Sequence, residues 1–228
     1  MIGRIKTVLD ESRFNNFMED IELSYDNIIN QYNLIKSGNR QVSDRKIKRL
    51  SSDLRKITNE YWEIFKKPII SPTTLLLDDF ISKAELKRIL NGKDKSLEIE
   101  FMKKKGGGPG IQKEHPTSIK TFVCHLYLHY LKNNIISDNI NDFITFLYNT
   151  AWYMFLTAKE NQDVRGVPSL DNWKEDIAEK YNKSGIVQLL HFKPTEDPLM
   201  FEFQGTITPE KLYDVPGPLE DISSVMDD

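Results

Sequence analysis

A long stripe of apolar side chains is the first pattern in this chain. Between residues 13 and 36, apolar residues recur at alternating steps of three and four, at Phe14, Phe17, Ile21, Tyr25, Ile28, Tyr32 and Ile35. Steps of three and four keep these side chains on one face of an α-helix. The pattern therefore predicts an amphipathic helix of about seven turns.

A second helix with the same spacing follows a short polar break. Gly38 interrupts the first stripe, and Ser43 has the side chain of a helix N-cap. Pro68 is predicted to end the second helix. Its apolar positions are Ile47, Leu50, Leu54, Ile57, Tyr61 and Ile64. Two long helices with a short polar connection predict an antiparallel helical hairpin over residues 1–67.

The middle of the chain carries weaker helix and strand signals. Residues 74–92 predict one or two short helices that end at Gly92. Apolar and polar residues then alternate over residues 97–102, which predicts a strand with one polar face. Residues 103–116 follow this strand, begin with KKKGGGPG and are predicted to be a loop.

Two strongly apolar segments predict the centre of the fold. A helix is predicted to begin at Thr117 or Ser118 and to continue through residue 134. Residues 139–160 are more apolar still and are predicted to form one further helix. Because helices that are apolar nearly all round are normally buried, we expect this pair to form the core.

The last third of the chain predicts one helix, two strands and a tail. Residues 168–185 predict an amphipathic helix that ends at Gly185. Residues 186–203 predict a hairpin of two strands. The predicted fold class is therefore mainly α with a minor β component. The predicted division is a helical hairpin at 1–67, a mainly helical core domain at 68–213 and an acidic tail at 214–228.

Composition narrows the class of protein. The 228 residues are 39% hydrophobic, which is enough to form a substantial core. The single cysteine excludes an intrachain disulfide and favours a reducing compartment, so the predicted location is the cytoplasm. No apolar stretch reaches the length of a membrane span, so no membrane partner is predicted. The abundance of isoleucine, asparagine and lysine hints at a bacterium, a phage or a mobile element.

Charge is distributed unevenly along the chain. Residues 36–113 carry 19 Lys and Arg against 10 Asp and Glu, although the whole chain has a net charge of −3. A basic segment is typical of a surface that contacts phosphates. Lys46 is one of the cations of residues 36–113. The predicted phosphate-binding residues are Arg45, Lys48, Arg49, Arg55, Lys56, Lys103, Lys104 and Lys105. Alternatively, the acidic side chains of the first helix neutralise the basic second helix.

The glycine-rich stretch fits no nucleotide-binding motif. A strand, a glycine-rich loop and a helix in this order can gather backbone amides around an anion. The loop lacks the Gly-Lys-Ser/Thr ending of a P-loop, and Ile111 occupies the position of the third glycine in a dinucleotide-binding loop. We therefore expect a mobile surface loop and, at most, a weak anion site.

His125 and His129 lie four residues apart on one predicted helix. This spacing can bind zinc, but the helix carries no acidic residue, and Cys124 points away from His125. Cys124 lies among apolar neighbours, where a cysteine normally packs as a small hydrophobic side chain. The sequence therefore predicts no metal and no cofactor.

The functional expectation is a non-catalytic interaction or accessory subunit of a larger assembly. No catalytic constellation stands out, and a long helical hairpin is a good docking element for a protein partner. Leu50, Leu54 and Ile57 are the predicted interface residues, and DNA or RNA is a further candidate partner. One alternative is a nucleic-acid-binding protein that uses segment 36–113. The other is an enzyme acting on a nucleotide or phosphoester, and either role fits a conflict between phage and host.

Overall fold

The computed structural model describes residues 1–38, 43–77, 81–91, 98–100, 110–117, 121–164, 166–194, 200–215, 217 and 219. Its α-helices are α1 (Ile2–Val8), α2 (Glu11–Lys36), α3 (Asp44–Glu60), α4 (Trp62–Phe65), α5 (Pro72–Leu77), α6 (Lys83–Leu90), α7 (Phe122–Lys132), α8 (Ile140–Thr150), α9 (Ala158–Asp163) and α10 (Trp173–Lys183). Its strands are β1 (Lys66–Ile70), β2 (Glu98–Glu100), β3 (Ile111–Glu114), β4 (Tyr153–Thr157), β5 (Leu189–Pro194) and β6 (Met200–Ile207), and a 3-10 turn spans Pro209–Lys211. The prediction of a mainly helical fold with a minor β component is confirmed.

The chain forms two compact units, each made of two separate segments. The helical unit comprises Met1–Phe65 and Thr117–Trp152, and the sheet unit comprises Lys66–Pro116 and Tyr153–Asp228. The three-part division predicted from the sequence stays a prediction.

The helical unit contains the predicted hairpin. Asp10 caps α2 by accepting a hydrogen bond from the amide of Arg13, and Ser43 caps α3 in the same way. The two helices run antiparallel, since the Phe17 and Tyr61 rings lie 4.9 Å apart near the open end of the hairpin. Helices α7 and α8 complete the core, where the rings of Tyr127 and Phe143 meet at 4.9 Å. The apolar faces of α2, α3, α7 and α8 pack together and are thereby removed from water.

The prediction of one long apolar helix over residues 139–160 is wrong for the second half of this segment. Helix α8 ends at Thr150, and all five residues of Tyr153–Thr157 form the buried strand β4. A strand that is covered on both faces is usually apolar at nearly every position, so it lacks the alternation of a half-exposed strand. Periodicity alone does not separate such a strand from a buried helix.

The predicted second helix of the hairpin is also shorter than expected. Helix α3 ends at Glu60, the short α4 follows, and the segment around Pro68 is strand β1. Proline has no amide to donate to a sheet, and Pro68 lies where the pairing of β1 with β4 shifts register. This register shift allows β1 to contain Pro68, although proline is normally absent from central strands.

The strands of the sheet unit form one mixed sheet in the order β2-β6-β5-β1-β4-β3. Strands β1 and β4 are parallel, and their neighbours pair antiparallel. The predicted hairpin is confirmed as β5 and β6, and the predicted strand at 97–102 is confirmed over Glu98–Glu100. Strand β3 lies in a segment that was predicted to be loop.

Gly185 ends α10 as the sequence predicts. Its φ of 79° lies in the left-handed region, and the amide of Ile186 donates to the carbonyl of Tyr181 at 3.0 Å. This arrangement is a Schellman motif, in which glycine satisfies the last carbonyls of a helix. A Cβ atom on Gly185 would meet nothing within 4 Å, so only the backbone conformation requires glycine.

Replacing Gly185 with alanine is expected to lower the free energy of unfolding by about 1 to 2 kcal/mol. The cost arises because an L-residue disfavours the left-handed conformation even where space is available. Urea denaturation of the two proteins measures this difference. A Gly3→Ala variant is a suitable control, since Gly3 has no left-handed backbone and an added Cβ there also meets nothing within 4 Å. Equal stability of the Gly185→Ala variant and the wild type would contradict the assignment.

Candidate functional site

Helix α3 has one buried face and one basic face. The inward side chains of Ile47, Leu50, Leu54 and Ile57 are all buried. Because successive residues turn by about 100°, the remaining positions lie toward solvent. We define the basic face as the six exposed cations of α3, which are Arg45, Lys46, Lys48, Arg49, Arg55 and Lys56.

Local contacts fix the orientation of this face. The Ser43 cap sets the start of α3, and its inward side packs on α7, where Ser51 Oγ lies 3.3 Å from Cys124 Sγ. Both atoms are buried, so a rotation of α3 about its axis would place polar or charged groups in the core. The packing therefore holds the six cations toward solvent.

The acidic residues of α2 do not pair with the basic face. Within the part of the chain that the structure describes, none of the six cations has a carboxylate partner within 4.0 Å. The exposed acids Glu19, Glu22 and Asp26 lie on the outward side of α2, opposite its own buried residues. Asp20 accepts a hydrogen bond from the hydroxyl of Tyr61. The described contacts therefore give no support to neutralisation of α3 by α2 through ion pairs.

A cleft of about 210 Å³ lies between α2 and α3. Asn27 and Gln31 line it from α2, and Lys46, Arg49, Leu50 and Asp53 line it from α3. Two members of the basic face therefore also belong to a concave site. No pattern in the sequence indicated this cleft, because it forms only when the hairpin brings the two helices together.

The predicted interface residues lie inside the helical unit. Leu50, Leu54 and Ile57 have exposed fractions of 6%, 2% and 3%. Their side chains contribute to the core of this chain in its folded state. Contact of these residues with another protein stays a prediction.

Some predicted site residues lie outside the described residues. These are Lys103, Lys104 and Lys105, together with the glycines that follow them. The anion-site hypothesis for that loop therefore stays a prediction.

The histidine pair of α7 has surroundings unlike those of a metal site. His125 is exposed, and the ring of His129 lies beside the side-chain amide of Asn133 at 3.2 Å. Among the described residues, no group of three or more His, Cys, Asp and Glu side chains is arranged to hold a metal ion. Cys124 is fully buried as predicted, and burial raises the pKa of its thiol to about 11. The thiolate, which is the reactive form of cysteine, is therefore disfavoured.

The sheet unit buries a carboxylate that sequence reasoning missed. Glu114, at the end of β3, accepts a hydrogen bond from the Tyr181 hydroxyl at 3.0 Å, and the ammonium of Lys180 lies 3.8 Å away. Burial raises the pKa of Glu114 to about 7, although Lys180 acts in the opposite direction. Burial also lowers the pKa of Lys180. The group links an outer strand of the sheet to α10.

A second polar group lies at the carboxyl ends of the parallel strands β1 and β4. Ligands often bind at such ends in open α/β sheets. Here the hydroxyl of Ser71 donates to Glu160 at 2.6 Å, and Glu160 also accepts from the amide of Thr157. Ser71 is fully buried and caps α5, so a substrate has no access to its hydroxyl. This group joins the starts of α5 and α9.

Comparison with models of known protein families, with characterised proteins and with solved structures yields no match. None of the described helices combines the length and the apolar character that a bilayer span requires.

Proposed function

We propose that this protein binds nucleic acid through the basic face of α3, without catalysing a reaction on it. The observation that carries the proposal is a row of six exposed cations without ion-pair partners among the described residues. Such cations bind phosphates favourably, because binding releases the counterions that condense on a nucleic acid. Helix α2 carries exposed acids, and the whole chain has a net charge of −3. The electrostatic attraction of a nucleic acid is therefore expected only on the α3 side of the hairpin.

The length of the basic face suits a polymer better than a single phosphate. Arg45 and Lys56 lie eleven residues apart, which corresponds to about 16 Å along the helix axis. Arg49 lies between them on the same side of α3, so the cations can contact successive phosphates of one strand. The proposed setting is the cytoplasm, where the single buried cysteine remains reduced.

The test is the salt dependence of binding by a variant with Arg45, Lys48 and Lys56 replaced by alanine. Each phosphate contact contributes about 0.9 to the slope of log affinity against log salt on duplex DNA and about 0.7 on single strands. The slope on a duplex is therefore expected to fall by roughly two to three, with weaker binding at every salt concentration. Fluorescence anisotropy of labelled duplex and single-stranded oligonucleotides measures both quantities.

The matched control removes the same charge from another surface. Lys83, Lys87 and Lys159 are exposed and lie in the sheet unit, so their triple alanine variant should bind with little change. Equal loss of slope in the two variants would show nonspecific attraction without a site on α3. If the wild-type protein binds no nucleic acid at low salt, the proposed function is wrong.

A further inference from the structure

The cleft between α2 and α3 holds more hydrogen-bonding groups than the hairpin uses. Asn27, Gln31, Lys46, Arg49 and Asp53 line it. With respect to the other described residues, none of these five side chains forms a hydrogen bond or an ion pair. Polar groups that have no partner within the protein can bind a polar ligand without first breaking an internal contact.

The cleft has a cationic end and an acceptor end. Lys46 and Asp53 lie seven residues apart, which is about 10 Å along the axis of α3. Because α2 runs antiparallel to α3, Gln31 lies toward the Lys46 end and Asn27 toward the Asp53 end. A simple anion would be attracted at one end and repelled by Asp53 at the other. The ligand that fits both ends has a negative group and, some ångströms away, a hydrogen-bond donor.

A nucleotide has this distribution of groups. Its phosphate suits Lys46 and Arg49, and a side-chain carboxylate or carboxamide pairs with the exocyclic amine of a base. Leu50 also lines the cleft, but it is 6% exposed and offers the base little apolar surface. The cleft has a volume of about 210 Å³. An unpaired base can enter it, whereas a base that is stacked and paired in a duplex cannot.

We propose that the cleft holds one unpaired nucleotide of a single-stranded nucleic acid. The phosphate lies against Lys46 and Arg49, and the amine-bearing edge of the base lies against Asn27 and Asp53. This assignment rests on the proposed function and makes single strands whose bases carry an exocyclic amine the preferred substrate. Cytosine and adenine meet this requirement on the edge that thymine and uracil present as a carbonyl.

The test compares labelled oligo(dC), oligo(dT) and a mixed-sequence duplex on the full chain. Wild-type protein is expected to bind oligo(dC) more tightly than oligo(dT) and the duplex. Replacing Asn27 and Gln31 with alanine should weaken binding of oligo(dC) roughly tenfold, which is the size expected of one well-placed amide contact to a base. The salt slope should stay unchanged, because this variant removes no charge. Asp53→Asn should reduce the preference for oligo(dC) over oligo(dT).

The control variant replaces Arg45 and Lys56, which belong to the basic face but do not line the cleft. It should weaken binding of all three probes and lower the salt slope, while the preference for oligo(dC) remains. Asn27 and Gln31 are not buried, so circular dichroism should show the wild-type fold in their double variant.

Two results would overturn the cleft assignment and leave the proposed function intact. One is equal affinity of the wild type for oligo(dC), oligo(dT) and duplex. The other is unchanged oligo(dC) binding by the folded Asn27→Ala, Gln31→Ala variant. If none of the three probes binds at low salt, the cleft assignment and the proposed function both fail.

Discussion

Replacing Leu54 with aspartate is expected to unfold the helical unit. Leu54 is 2% exposed and lies between Leu50 and Ile57 on the inward face of α3. The substitution removes an apolar side chain from the core, at a cost of about 2 to 5 kcal/mol. It also places a carboxylate where no counter-charge is available, which costs roughly 3 to 5 kcal/mol more. The sum is comparable with the whole stability of a typical domain, about 5 to 15 kcal/mol.

Circular dichroism and urea denaturation measure this effect. The Leu54→Ala variant should remain folded and lose about 2 to 5 kcal/mol, because it leaves a cavity without burying a charge. Leu23→Asp is the matched control, since Leu23 lies on α2 but is 64% exposed, and its effect should stay within about 0.5 kcal/mol. A Leu54→Asp protein with wild-type helix content and midpoint would show that this face of α3 is not buried.

Replacing Glu114 with glutamine is expected to change how stability depends on pH. The folded-state pKa of Glu114 is about 7, and the ordinary value is 4.5, so between these values the folded protein holds a proton that the unfolded chain releases. The stabilisation that protonated Glu114 provides is therefore complete below about pH 4.5 and is lost as the pH rises through about 7. Glutamine does not titrate and keeps an acceptor for Tyr181. From pH 5 to pH 8, the free energy of unfolding of the wild type should fall by about 2 to 3 kcal/mol relative to that of the variant.

The comparison of the two proteins is needed because His191 acts in the opposite direction. Burial and the nearby Lys67 lower the pKa of His191 to about 4, so its contribution to stability is lost as the pH falls below 6.5. His191 is present in both proteins, and its effect cancels in the difference. Urea denaturation at several pH values provides the measurement. If the difference in free energy of unfolding between the two proteins stays constant from pH 5 to pH 8, the pKa of Glu114 lies near its ordinary value.

The helices of the hairpin were predictable because each has one apolar and one polar side. The stripe from Phe14 to Ile35 and the cap at Ser43 identify α2 and the start of α3 without tertiary information. Strands β1 and β4 were missed for different reasons. Strand β4 is apolar at four of its five positions, so its composition indicates burial and leaves the type of element open. Strand β1 is also buried, but it contains Lys66, Lys67 and Pro68, so its composition indicates neither burial nor a central strand.

The candidate site was predictable only where single residues define it. The cations of α3 are evident in the sequence, and helical spacing separates them from the buried positions. The cleft depends on the register of α2 against α3, which brings Asn27 and Gln31 beside Lys46 and Arg49. The Glu114 group likewise depends on the approach of β3 to α10, and Glu114 itself lay in a segment predicted to be loop. Contacts between distant segments have no local signal.

The order of the elements along the chain has a consequence for synthesis. Helices α7 and α8 belong to the helical unit but lie between β1 and β4, which pair Lys66 with Tyr153. On a ribosome, the last segment of the helical unit is made before β4, β5 and β6. The helical unit can therefore complete its core while β1 still lacks both of its neighbours in the sheet. A nascent chain would then present the cations of α3, already in place, before its sheet exists.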